Sequence, residues 1–253
     1  MKTSIVNLIP ALLGVLSCQS SQAQEAPLLS GSFTTQLNTA YIGKIGTVFD
    51  HNPTTVNYLD INLGSDWTAE LWSSTNLAGD RYNTTYGDEL DLFLTWHRSF
   101  NDVRVSLTGA YFFLKDISSL DDDIWIGEAE VSYTKWACFR PYLCTRYFGE
   151  VSSKSAENGW FGWAGIRGTY PTGIRQVDLT LDISAACSDG ALGRPPGLVY
   201  GRAVVGLPIK IGKRVTLTPS ILLQTPLGDQ QDDPFPYTDR KEVVGSLTLN
   251  LAF

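Results

Sequence analysis

The sequence predicts an all-β protein: an up-and-down antiparallel transmembrane β-barrel of about twelve strands that follows a cleaved signal peptide. Three observations predict it. Apolar and polar residues alternate with period two in many segments. Short and long polar breaks alternate along the chain. The last residue is an aromatic one, behind leucines at alternate positions.

Met1-Lys2 forms a minimal positive region, Ile5 to Leu16 is mostly apolar, and Ser21-Gln22-Ala23 is a small-x-small cleavage site. This is a secretory signal pattern, too short to span a bilayer. The expected division is residues 1–23 as signal peptide and residues 24–253 as one barrel domain. A rival reading takes Val15-Leu16-Ser17-Cys18 as a poor lipobox with Cys18 lipidated. Beyond residue 23 no stretch reaches the roughly 18 to 20 apolar residues of a membrane helix. Hydropathy alone leaves a soluble β-protein open, because barrel strands average out.

Val177-Asp178-Leu179-Thr180-Leu181-Asp182-Ile183-Ser184 has one aliphatic and one polar face. A strand produces that pattern, since successive side chains point to opposite faces. Val103 to Thr108, Val215 to Thr218 and Leu247 to Leu251 repeat it. Short turns are expected at Gly64 to Asp66, Ser99 to Asn101, Trp136 to Arg140, Tyr170 to Gly173 and Pro208 to Lys213. Longer loops are expected at Gly46 to Thr55, Asn76 to Gly87, Lys115 to Asp123, Val151 to Asn158, Cys187 to Gly197 and Thr225 to Asp239. Short turns at one rim and long loops at the other are the habit of outer-membrane barrels, and a soluble sandwich has no reason to keep it. Phe253, with Leu251, Leu249 and Leu247 on one face, resembles the terminal strand read by the outer-membrane assembly machinery.

Lys plus Arg number 19 against 26 Asp plus Glu, a net charge of −7, which argues against a nucleic-acid partner. Seven Trp and eleven Tyr would supply two interfacial girdles. Cys138 and Cys144 flank an expected turn and are either a hairpin disulfide or two thiols; Cys187 is expected unpaired in an external loop. No CxxC or Cys/His cluster supports zinc, and no metal site or cofactor is expected. The acidic stretches Asp121-Asp122-Asp123 and Asp229 to Asp233 read as solvated loops.

Trp72-Ser73-Ser74, followed by Tyr86-Gly87-Asp88-Glu89-Leu90-Asp91, resembles the early strands of the TorF-type porins. There an aromatic-Ser pair ends one strand and a Gly-x-Glu-x-Asp element opens the next. Tyr41 to Gly46, followed by Pro53, sits where that family has its first strand and first loop. Ile42-Gly43-Lys44-Ile45-Gly46 stands in place of the family's usual aspartate-aromatic and Arg-Gly-Ile-Ser run. The resemblance covers about the first hundred residues after the signal and implies a small porin-like barrel.

If the barrel forms, charges must face inward, because one on the lipid face near the midplane costs about 2–4 kcal/mol. The candidate lumen and selectivity residues are Asp60, Glu70, Glu89, Asp91, Arg104, Glu128, Glu130, Arg146, Arg167, Asp178, Asp182 and Arg202. They could line water, where an acidic excess would favour cations. They could instead pair across strands and fill the lumen: Glu89 or Asp91 with Arg104, Glu128 or Glu130 with Arg146, Arg167 or Arg202 with Asp178 or Asp182. The expected function is passive diffusion of small hydrophilic solutes or ions through the bacterial outer membrane, cation-leaning, with outer-membrane lipid and the assembly machinery as partners. The alternatives are a plugged, loop-displaying barrel and a lipid-modifying enzyme. His97-Arg98-Ser99 resembles the His-x-Ser element of barrel-type lipid A deacylases, but it falls mid-chain beside an expected periplasmic turn, so no catalysis is expected.

Overall fold

A computed structural model describes residues 30–77, 89–113, 123–150, 158–228 and 240–253. The expected signal peptide, Cys18, Asp121, Asp122 and the acidic stretch 229–233 lie outside the described residues. Among the described residues, twelve long antiparallel strands close into one barrel. They are β1 (Ser30–Asn38), β4 (Thr54–Asn62), β5 (Trp67–Asn76), β6 (Glu89–Phe100), β7 (Val103–Phe113), β8 (Ile124–Tyr133), β9 (Arg140–Glu150), β10 (Gly159–Pro171), β11 (Asp178–Ser188), β12 (Gly197–Gly206), β14 (Val215–Pro226) and β15 (Glu242–Ala252). Each pairs with its sequence neighbours, and β1 closes the ring against β15. Closure leaves no strand edge unpaired in lipid. At the seam Gly31 and Phe253 exchange two backbone hydrogen bonds of 3.0 Å.

Three short strands add to the ring. The strands β2 (Tyr41–Ile42) and β3 (Val48–Asp50) form a separate two-stranded sheet, and β13 (Ile209–Lys210) pairs with β14 at the short-turn rim.

The period-two pattern fixes the faces. In β11, Ile183 points outward and is 51% exposed, while its neighbour Asp182 faces Arg167 of β10 across the inner wall. Opposed residues of an antiparallel pair share a face, so the register carries that assignment round the ring. Leu92, Leu107, Leu143, Ile166, Val205 and Leu247 are all exposed on the outside. An apolar belt this continuous is out of place in water and is at home in a bilayer.

Two groups of rings bound the belt. Trp125, Tyr147 and Trp160 are neighbours on β8, β9 and β10, with centroids 5.4 and 5.0 Å apart, near the long-loop rim. Tyr133, Trp136 and Phe139 cluster at the opposite rim. Trp125 and Tyr133 are separated along β8 by about 26 Å at about 3.3 Å per residue. Strand tilt reduces that to about 20 Å of height, close to the apolar band of outer-membrane barrels. Between β6 and β7 the turn is only Asn101-Asp102, with Asn101 at φ 54°, a left-handed conformation that Asn tolerates. Ser99 and Phe100, expected in that turn, still belong to β6.

Two expectations, on Tyr41 to Gly46 and on Cys187, are corrected, and the open choice at Cys138 and Cys144 falls to the two thiols. Tyr41 to Gly46 is not the first barrel strand; that role falls to Ser30–Asn38, and residues 41–46 fold into the lumen. Cys138 and Cys144 are both free. Cys138 lies within the turn, whereas Cys144 lies inside β9, about 13 Å along the strand from its start, far beyond the roughly 7 Å between Cα atoms that a disulfide allows. Cys187 is in β11 on the outer face, not in a loop, because that strand runs two residues further than its polar flank suggests.

Candidate functional site: the barrel lumen

All the candidate charges from Asp60 to Arg202 occupy inward register positions. Tyr58, Trp72 and Asp91 form one cross-strand row on β4, β5 and β6; Asp60, Glu70 and Phe93 form the next. Thr108, Glu128 and Arg146 continue round β7, β8 and β9.

Residues 39–53 decide how open the lumen is. This connection turns inward through the β2–β3 hairpin, and four consecutive carbonyls are each held by a donor from the barrel side. Arg202 Nη2 donates to Gly43 O at 2.8 Å, the Tyr200 hydroxyl donates to Lys44 O, Arg194 Nη1 donates to Ile45 O at 2.6 Å, and Gln224 Nε2 donates to Gly46 O at 2.7 Å. Buried carbonyls need such partners away from water. Gly46 has φ +88°, and a Cβ there would lie 2.2 Å from the Tyr200 ring. Only glycine lets the loop pass that ring.

Packing holds the loop as well. Ile45 joins Ile124, Ile126, Phe148, Phe161, Trp163, Leu192 and Tyr200 in a buried apolar cluster against the inner wall of β8 to β12. Burying a side chain such as Phe161, fully enclosed here, contributes about 2 kcal/mol. This half of the lumen is therefore a small hydrophobic core.

Charges cross the lumen as two triads. Glu128 accepts from Lys44 Nζ at 2.6 Å and from Arg146 Nη2 at 2.7 Å. The Lys44 ammonium also lies 4.8 Å from the centre of the Trp163 ring. Arg167 grips Glu130 through both Nη atoms at 2.8 and 2.9 Å, contacts Asp182 Oδ2 through Nε at 3.1 Å, and stacks 3.8 Å from the Tyr142 ring. Tyr142 donates to the same Asp182. Two expected pairings thus form, Glu128 with Arg146 and Arg167 with Asp182. The others do not. Arg104 faces Ser99 and Ser132 at the short-turn rim, while Glu89 and Asp91 start β6 at the far rim, because antiparallel pairing separates them by nearly the strand length. Arg202 goes to Gln224 and the inward loop, and Asp178 to Lys210 at 3.4 Å.

Beside the apolar half, β4 to β9 and the inward loop line a cavity of about 430 Å³, which borders that cluster at Ile45, Ile124 and Phe148 and includes Lys44, Glu128 and Arg146 in its wall. Glu70, Glu89 and Asp91 line it, with Tyr41, Tyr58 and Trp72. Among the described residues none of these three carboxylates has a lysine or arginine partner. His97 faces inward near the short-turn rim, its backbone N–H bonded to Asp66 O at 2.7 Å.

Sequence reasoning missed Lys44, Arg194, Trp163 and Tyr200, since Tyr41 to Gly46 reads as a first strand and Cys187 to Gly197 as an external loop. A signal was present: Tyr41-Ile42-Gly43-Lys44-Ile45-Gly46 is too apolar for a water-facing connection.

No protein-family model and no curated protein matches the chain. Its fold does match solved outer-membrane barrels. The NanC porin aligns at TM-score 0.56 and 9% identity, covering 89% of this chain and 99% of that one. The KdgM porin in complex with disordered oligogalacturonate aligns at 0.54 and 7%, covering 88% and 99%. The COG4313 outer membrane channel from Pseudomonas putida F1 aligns at 0.55 and 11%, covering 94% and 100%. The chain shares the porin-type barrel fold of the bacterial outer membrane, and its apolar belt fits that membrane.

Proposed function

We propose that this chain is a narrow outer-membrane channel for small hydrophilic solutes or ions, with residues 39–53 as its internal constriction and a preference for cations. The observation that carries the reading is the cavity of about 430 Å³ in which Glu70, Glu89 and Asp91 have no ion pair among the described residues, while its two cations, Lys44 and Arg146, are both held by Glu128. Carboxylates in a narrow, low-dielectric passage raise the local cation concentration. Arg146, Arg167 and Lys44, by contrast, spend their charge on Glu128, Glu130 and Asp182. The Trp72-Ser73-Ser74 and Glu89-Leu90-Asp91 elements are consistent with a TorF-type porin, and those carboxylates sit within the second element. Outer-membrane lipid, the assembly machinery and the permeating solutes are the partners this function implies.

Single-channel recording of the processed chain in a planar bilayer under a salt gradient tests it. Discrete steps with a cation-selective reversal potential are expected. Insertion without conductance would refute the channel. It would favour the second reading, a plugged barrel that displays its loops, for which the four anchored carbonyls of residues 43–46 speak.

A further inference from the structure

We propose that the cavity between the inward loop and strands β4, β5 and β6 is a binding site for a small aliphatic amine, whose ammonium sits between Glu70, Glu89 and Asp91 against the rings of Tyr41, Tyr58 and Trp72. This deepens the channel reading and rests on it for the solute's way in.

Asp91 is the first observation. It is 3% exposed and lines the cavity, yet its Oδ1 has no hydrogen-bond partner among the described residues. A buried carboxylate oxygen left unsatisfied costs free energy, and native proteins keep such an atom where something else satisfies it. Trp72 lies directly opposite Asp91, and Tyr58 directly opposite Trp72. Glu70 and Glu89 flank that row on the same inner face.

The aromatic rings are the second observation. Tyr41 and Tyr58 have centroids 5.9 and 6.4 Å from Trp72. Ring faces attract a cation electrostatically, most strongly where water is excluded. The chain already uses this combination on itself: the Lys44 ammonium is held by one carboxylate, Glu128, and by the face of Trp163. The cavity's two lining cations, Lys44 and Arg146, are both held by Glu128, so Glu70, Glu89 and Asp91 offer the same chemistry with no ion pair of their own among the described residues.

The choice of an organic cation over a metal ion follows from spacing. Among the described residues no three acidic, His or Cys side chains converge enough to hold a metal. Calcium would need six to eight oxygens at about 2.3–2.6 Å. A volume of about 430 Å³ falls in the range of small-molecule sites. Glu70 on β5 and the neighbouring Glu89 and Asp91 on β6 offer anionic positions on two strands, so a diamine is the best probe.

The test is isothermal titration calorimetry of the processed chain in detergent with 1,4-diaminobutane at fixed ionic strength. Saturable binding is expected, weakened at least tenfold by Asp91→Asn and severalfold by Glu70→Gln, with no competition from magnesium chloride at matched ionic strength. Should Asp91→Asn fail to fold, Glu70→Gln carries the comparison. Absence of saturation, or displacement by magnesium charge for charge, overturns the site. Binding without conductance would remove the channel and leave the site standing; conductance without binding would do the reverse.

Discussion

Gly46→Ala adds one methyl group where the inward loop passes Tyr200, and it tests whether this loop sets the conductance. The new Cβ would lie 2.2 Å from Cδ1 of a ring that is 2% exposed. Tyr200 has little freedom to yield, since its hydroxyl accepts a 2.6 Å bond from Trp163 Nε1 and donates to Lys44 O. Alanine also pays about 1–2 kcal/mol for the left-handed backbone, and overpacking adds about 1–3 kcal/mol. The docked loop thus loses about 2–5 kcal/mol. Against this stand its anchors. The Arg194 and Arg202 bonds to carbonyls contribute about 1.5–3 kcal/mol each, and those from Tyr200 and Gln224 about 1 kcal/mol each.

Docking therefore survives by a margin of about 3 kcal/mol, so the undocked state should rise to about 1% of the time, at tenfold per 1.4 kcal/mol. Single-channel traces of Gly46→Ala should show brief excursions to a larger conductance, and Gly46→Val should lengthen them. Gly64→Ala is the control. It has φ +84° but nothing within 4 Å of its Cβ, so it carries the backbone strain without the clash and should leave the trace unchanged. Folded Gly46→Val barrels with wild-type traces would refute the constriction.

Three further outcomes follow from the lumen and the belt. Glu128→Gln should destabilise the barrel by about 3–5 kcal/mol in urea unfolding from lipid vesicles, because it strands the buried Arg146; Lys44→Met should cost about 1 kcal/mol, since Lys44 is 39% exposed and Glu128 keeps Arg146. Ile183→Arg, on the outer face of β11, should lose about 2–4 kcal/mol and assemble poorly, whereas Ser184→Thr, next to it on the inner face, should fold normally; equal folding yields would remove the lipid-facing assignment. Arg167→Met should free Glu130 and Asp182 from their shared cation, and the reversal potential should move toward stronger cation selectivity.

The barrel was legible because its strands obey a rule that needs no tertiary knowledge. Val177 to Ser184 declares both faces by alternation alone, and the breaks at residues 101–102 and 172–177 are too short for anything but a hairpin. The inward set followed, since the lipid face excludes charge at any register. Pairing was less legible. Glu128 meets Arg146 directly across one strand pair, which spacing suggests, but Arg167 reaches past β9 to Glu130 on β8, a contact set by side-chain length and barrel curvature. The inward loop was not legible, since its four carbonyl anchors come from Arg194, Tyr200, Arg202 and Gln224, about 150 or more residues away in sequence.

That distance also explains why the lumen is uneven. A twelve-stranded ring is too wide for its own side chains to fill and too narrow to stay open once a loop enters. The loop must then be buried on one side and leave water on the other. Along β8 to β12 the inward positions carry Ile126, Phe148, Phe161, Trp163 and Tyr200, which give Ile45 an apolar seat and donors for its carbonyls. Along β4 to β6 they carry Tyr58, Asp60, Glu70, Glu89 and Asp91, which a packed loop would leave desolvated. The side of the wall that takes the plug is therefore written in the inward residues, and the carboxylates mark the side where the loop leaves a cavity.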